Sequence, residues 1–137
     1  MSVDEHFDWV TARLHCSEAR FFADLKKAVM NDVDIRTRSL GKDSVDQFSV
    51  DQNEDGSFTV HHVKIGSPTY HRAVTFAQNG NEIKSYGDDR KDIFSGTLTL
   101  NDEQKCRLRV KNSNGEDKEL ASWQLRKMAL DKVLFGL

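Results

Sequence analysis

A single proline, Pro68, and only two cysteines, Cys16 and Cys106, occur in 137 residues. No apolar run approaches the ~20 residues that cross a bilayer as a helix, so no membrane association is expected. There is no low-complexity tract, internal repeat or Pro-rich linker. Residues 1–137 are therefore expected to form one domain, large enough to bury about two-thirds of its unfolded surface. Two cysteines on different predicted elements are too few for a disulfide framework, so reduced thiols in a cytoplasmic protein are expected. The segment from Met1 to Asp8 is acidic and lacks the basic-then-apolar plan of a secretory signal, which agrees with that location. An excess of one charge sign is missing as well: the net charge of −2 exerts no long-range pull on a polyanion.

What is present is a globular composition, 37% hydrophobic and 31% charged, with a strand rhythm from Ser44 to Lys111. Short alternating apolar runs are separated by Asn53-Glu54-Asp55-Gly56 and Asn79-Gly80, with Asn112-Ser113-Asn114-Gly115 just beyond. Such steps tolerate positive φ cheaply and mark hairpins. Before this region, Phe7, Val10, Leu14, Phe21, Leu25 and Ala28 follow a helical stripe, widened by Trp9, Phe22 and Val29. Ser2 and Glu5 have capping-box spacing. The stripe weakens near Cys16, where Ser17 and Glu18 can start a second helix, and Asn31-Asp32 can end it. Val33–Leu40 reads as either a short strand or a crossing. After about Lys118, Leu120, Trp123, Leu130, Leu134 and Leu137 predict a helix lying on the sheet, with Trp123 and Phe21 buried.

Keeping apolar residues on one face predicts the register. Val50 should pair with Phe58, Phe76 with Ile83, Leu100 with Cys106 and Leu98 with Leu108. Phe58 and Val60 are out of phase with Val63 and Ile65, which predicts a β-bulge at His61-His62. Tyr70, Val74 and Phe76 should face the core, with Arg72 the one charge in that row.

Several residue groups carry chemical potential. Asp51 to Thr59 resembles the calcium loop of EF-hand proteins, with oxygen ligands at positions one, three and five and Gly56 at six; position twelve is His62 instead of glutamate. A hairpin tip accounts for the same letters, and no metal or other cofactor is expected. His61, His62, Lys64 and His71 are expected on one exposed face as surface histidines at a bulge. Lys105, Arg107, Arg109 and Lys111 alternate along one strand and should face Asn101, Thr99, Thr97 and Ser95. That stripe could grip phosphates, but no aromatic side chains interleave it for base stacking, so nucleic-acid binding is not expected. Acidic residues can compensate it, as can water or an acidic protein partner. The acid cluster Asp88, Asp89 and Asp92 reads as a solvated loop. No nucleophile elbow, glycine-rich phosphate loop or helical metal motif is present.

The expected architecture is α+β: an N-terminal helix or helix pair, an antiparallel meander of five or six strands, and a C-terminal helix packed on the sheet. This order resembles helix-grip proteins, which implies an apolar cavity between helix and sheet. The leading expectation is a non-catalytic protein-interaction domain. A small apolar ligand held near Arg72 and Tyr70 is one alternative, and nucleic-acid contact through residues 105–111 is the other.

Overall fold

A computed structural model describes residues 7–111 and 114–136. The Ser2–Glu5 capping box and the Asn112-Ser113 half of the last turn lie outside the described residues. The chain opens with α1 (Trp9–His15), capped by Asp8, whose carboxylate accepts from Thr11 N–H. Next comes α2 (Glu18–Leu40), where Ser17 Oγ accepts from Arg20 N–H. The break at Cys16 thus gives two helices. Asn31-Asp32 does not end α2, which runs on to Leu40 and stops at Gly41, where φ is +79°. Phe22, Leu25, Val29 and Val33 form one buried stripe that continues past the pair. That burial outweighs a propensity deficit below ~1 kcal/mol.

Seven strands follow in a simple antiparallel meander: β1 (Asp46–Gln52), β2 (Phe58–Lys64), β3 (Ser67–Asn79), β4 (Glu82–Gly87), β5 (Asp92–Leu100), β6 (Cys106–Lys111) and β7 (Asp117–Leu120). The α+β class is as expected, with one strand more. Residues 117–120, read from sequence as the start of the last helix, are β7. Their Leu120 lies opposite Leu108 and joins the core. Then α3 (Ser122–Phe135) packs on the sheet beside α2. Gln124 Oε1 accepts from Ala121 N–H at 2.8 Å, and Gly136 ends the helix in a left-handed conformation. No helix among the described residues is long and apolar enough to cross a membrane.

The core lies between one sheet face and the helices. Phe58, Phe76, Ile83 and Leu108 meet Leu25 and Val29 of α2 and Leu125, Ala129 and Val133 of α3. The pairings Leu98–Leu108 and Leu100–Cys106 are as expected. Two hairpins differ by one turn position. Gln52, not Val50, is opposite Phe58, and Val50 meets Val60; Phe76 is opposite Ser85, not Ile83. In the second case the central turn residues are Gly80-Asn81. Gly80 has φ +60° at the first of them, as a type II′ turn requires. Both shifts keep the same face buried.

Three expectations are corrected. The bulge is between Val63 and Lys64, not at His61-His62, so the β2 alternation carries His62 inward and leaves Val63 and Ile65 exposed. Phe7, Trp9, Val10 and Leu14 are exposed, because α1 does not reach the core. Finally, Cys16 and Cys106 form a disulfide instead of reduced thiols. The sequence could not show that the α1–α2 joint meets the start of β6.

Candidate functional site

Continuous alternation along β1, β2 and β3 places Asp46, His62, Tyr70 and Arg72 on the inner face, toward one end of the sheet. Phe48 is opposite His62, and His62 is opposite Arg72. His62 is only 4% exposed. Its Nε2 lies 2.8 Å from Asp46 Oδ1, and its Nδ1 lies 3.3 Å from the Tyr70 hydroxyl. Both ring nitrogens are thus engaged, one by the carboxylate and one by the phenol. Lys64 Nζ sits 4.0 Å from the same Asp46 oxygen and 4.6 Å from the centre of the Tyr70 ring. The Arg72 guanidinium stands 5.5 Å over that ring and has no carboxylate partner among the described residues.

These groups line a cavity of about 330 Å³ that α2 and α3 close with Arg36, Leu134 and Phe135. Arg36 Nε donates to the Leu134 carbonyl at 2.9 Å, and its guanidinium lies 4.5 Å over the Phe135 ring. Tyr70 and Arg72, singled out from the sequence, are thus brought together with a buried histidine. The sequence reading had put that histidine on the outer face. Asp46 carries no motif. Only its even-numbered parity with Phe48 and Val50 could have pointed inward.

The four histidine-region residues split between the two faces. His61 and His71 remain on the outer one, with Nδ1 and Nε2 2.8 Å apart; His61 Nε2 also meets Asp51 at 3.0 Å. Among the described residues, no group of three or more His, Cys, Asp or Glu side chains is placed to hold a metal ion. The Asp51–Thr59 segment is a hairpin tip between strands. Asp55 Oδ1 accepts from Ser57 N–H and Oγ, and Asn53 Nδ2 donates to Ser57 Oγ and Thr59 Oγ1. Asp55 Oδ1 is therefore engaged in shaping the turn, and Asp51 Oδ2 is taken by His61.

The basic stripe is partly neutralised by the strand that the sequence did not reveal. Arg107 and Arg109 face Thr99 and Thr97 on β5 as expected, but β7 covers the other edge of β6. Arg109 lies 3.5 Å from Glu119, and Lys111 is paired with Asp117 in the ladder. Lys105 falls in the β5–β6 loop, 3.7 Å from Glu103. The stripe does not touch the Tyr70–Arg72 cavity.

A larger apolar groove, about 580 Å³, runs between α2 and α3. Its two walls are joined by a bidentate ion pair, Arg126 Nη1 to both oxygens of Asp32 at 2.8 Å. Trp123, expected in the core, stands in this groove 59% exposed, with Ile35 at 52% and Phe135 at 56%. The reason is helical geometry. Leu125, Ala129 and Val133 share the face of α3 turned to the sheet, and Trp123 lies two positions before Leu125, about 200° around the helix. Phe21 is half-buried against the core.

Comparison with known proteins finds no match to this chain among family models, curated proteins or solved structures.

Proposed function

We propose that the chain is a non-catalytic protein-interaction module that takes an apolar segment of a partner in the α2–α3 groove. The observation that supports it is the trio of Ile35, Trp123 and Phe135, each more than half exposed along one groove. Large apolar side chains grouped on a surface mark interaction sites more often than scattered ones do. Tryptophan is also enriched among the residues that carry interface energy. Arg36, Lys127 and Asp131 supply charges around the groove, and an amphipathic helix laid between two helices is a recurrent way to fill such a shape.

The test is site-specific crosslinking in the native cells, with a photoreactive residue at Trp123 and, as control, at Thr97 on the opposite sheet face. A discrete adduct from position 123 alone is expected. The purified partner should then lose at least about tenfold in affinity for Trp123→Ala. Identical adducts from both positions, or none, would sink the proposal; an adduct between two copies would replace it with self-association.

A cytoplasmic location is proposed with it, against the Cys16–Cys106 bond, because cytosolic thiols are held reduced in most organisms. Fractionation of the native cells tests it: recovery in the cytosolic fraction supports the location, and recovery in an oxidising compartment overturns it.

A further inference from the structure

We propose that the cavity between β1–β3 and the end of α3 binds a small organic carboxylate with an apolar body, gripped by Arg72. This site adjoins the α2–α3 groove, with Arg36, Leu134 and Phe135 lining both, but the proposal does not rest on the protein partner.

The argument begins with which polar groups are already engaged. Among the described residues Asp46 is the one carboxylate lining the cavity, facing three cationic side chains, Arg36, Lys64 and Arg72. It is held by His62 at 2.8 Å and approached by Lys64 at 4.0 Å. Tyr70 turns its hydroxyl to His62. Arg36 is anchored by the Leu134 carbonyl and the Phe135 ring. That leaves Arg72, half-buried and without a carboxylate partner among the described residues. Its other flank lines a second cavity of about 500 Å³ that also contains Asp88, Asp89 and Asp92, with Lys91 and Lys132, yet none of those carboxylates pairs with it. No Arg72 nitrogen is among the fully buried atoms without a partner, so the guanidinium keeps contact with solvent and is available to donate to a ligand carboxylate.

Two features select the ligand. A planar fork beside an aromatic ring matches a carboxylate bidentately. Phe48, Leu134 and Phe135 supply apolar surface for a body attached to that carboxylate. The volume of about 330 Å³ is at the small end of ligand sites. The cavity surface is mostly polar, with Phe48, Leu134 and Phe135 as its apolar part, so the body attached to the carboxylate is small, and a cation would meet three like charges around a carboxylate already taken. His62, with both nitrogens engaged, holds Tyr70 and Asp46 in place, so the cavity is formed before ligand arrives.

The experiment uses phenylacetate as probe, with its neutral counterpart phenylacetamide and inorganic phosphate as comparisons. Binding to the full chain is followed by NMR, reading the His62 imidazole and the backbone amides of β1–β3. Phenylacetate is expected to bind saturably and to move these resonances. Phenylacetamide and phosphate should each bind at least about tenfold more weakly. Arg72→Met should lower phenylacetate affinity by at least about tenfold with the fold intact by circular dichroism. If that variant does not fold, Arg72→Lys keeps the charge but not the fork and should still weaken binding. Three results would overturn the proposal: no saturable phenylacetate binding, equal affinity for acid and amide, or phosphate binding more tightly than phenylacetate. Retained affinity in whichever folded Arg72 variant is measured would overturn it too.

Discussion

Cys16, at the joint between α1 and α2, is bonded to Cys106, the first residue of β6, across 90 residues of sequence. Cross-linking so distant a pair restricts the unfolded chain, worth about 4–5 kcal/mol for a loop of this size in the chain-entropy model. Reduction, or the double variant Cys16→Ser/Cys106→Ser, should lower the denaturant midpoint by a comparable amount. An unchanged midpoint would mean that the bond contributes little in solution.

Trp123 and Leu125 should behave oppositely, although only one residue separates them. Trp123→Ala removes a mostly exposed side chain, so its effect on stability should stay within about 0.5 kcal/mol. Leu125 is fully buried, and Leu125→Ala should cost about 2–5 kcal/mol. Parallel urea titrations check the pair; a large loss for Trp123→Ala would show that its ring is covered in solution.

Gly96 is required by packing and not by backbone conformation. A Cβ built there would lie 2.4 Å from the Arg109 carbonyl oxygen of the neighbouring strand and 2.8 Å from a Val110 methyl. Because backbone cannot yield without disturbing the β5–β6 ladder, Gly96→Ala should destabilise by about 1–3 kcal/mol. Thermal melts of the two proteins measure it.

Asp55 gives the hairpin tip a pH dependence. The Ser57 hydroxyl first, then the Ser57 N–H, hold its pKa below the ordinary carboxylate value. A carboxyl depressed in the fold stabilises above its unfolded pKa of about 3.9, and that contribution fades as pH falls through the lower folded value. Asp55→Ala should therefore be less stable than the parent at pH 7, with the gap closing below about pH 4. Calorimetry should show no micromolar calcium isotherm, because the same oxygens shape the turn. A clear isotherm lost in Asp55→Ala would reverse that assignment.

The basic strand should not retain nucleic acid at physiological salt. Arg109 meets Glu119 and Lys105 lies near Glu103, so fewer cations are left for phosphates. A fluorescent single strand and a duplex, titrated at low and moderate salt, should show no steep salt-dependent binding. Micromolar affinity abolished by Arg107→Ala/Arg109→Ala would restore the stripe as a nucleic-acid contact.

Patterns of local period were legible in the chain itself. The two-fold alternation of β5 and β6 set the Leu98–Leu108 and Leu100–Cys106 pairs, and Ser17-Glu18 marked the start of α2, because each depends on neighbours in sequence. The candidate cavity was legible only in part. Tyr70 and Arg72 were visible as polar residues in an inward row. His62 was not, since Val63 and Ile65 suggested a phase change that the sheet places two residues later. Asp46 offered no local signal.

The α+β order through β6, most of the buried sheet face and the β5–β6 turn follow from sequence alone, because period, turn chemistry and capping act over a few residues. Tertiary structure alone decided that Cys16 meets Cys106, that residues 117–120 complete the sheet, that Trp123 stands in a groove and that Arg72 faces a cavity with no carboxylate paired to it among the described residues. Each of these depends on distances between elements far apart in the chain, and local periodicity carries no information about such distances.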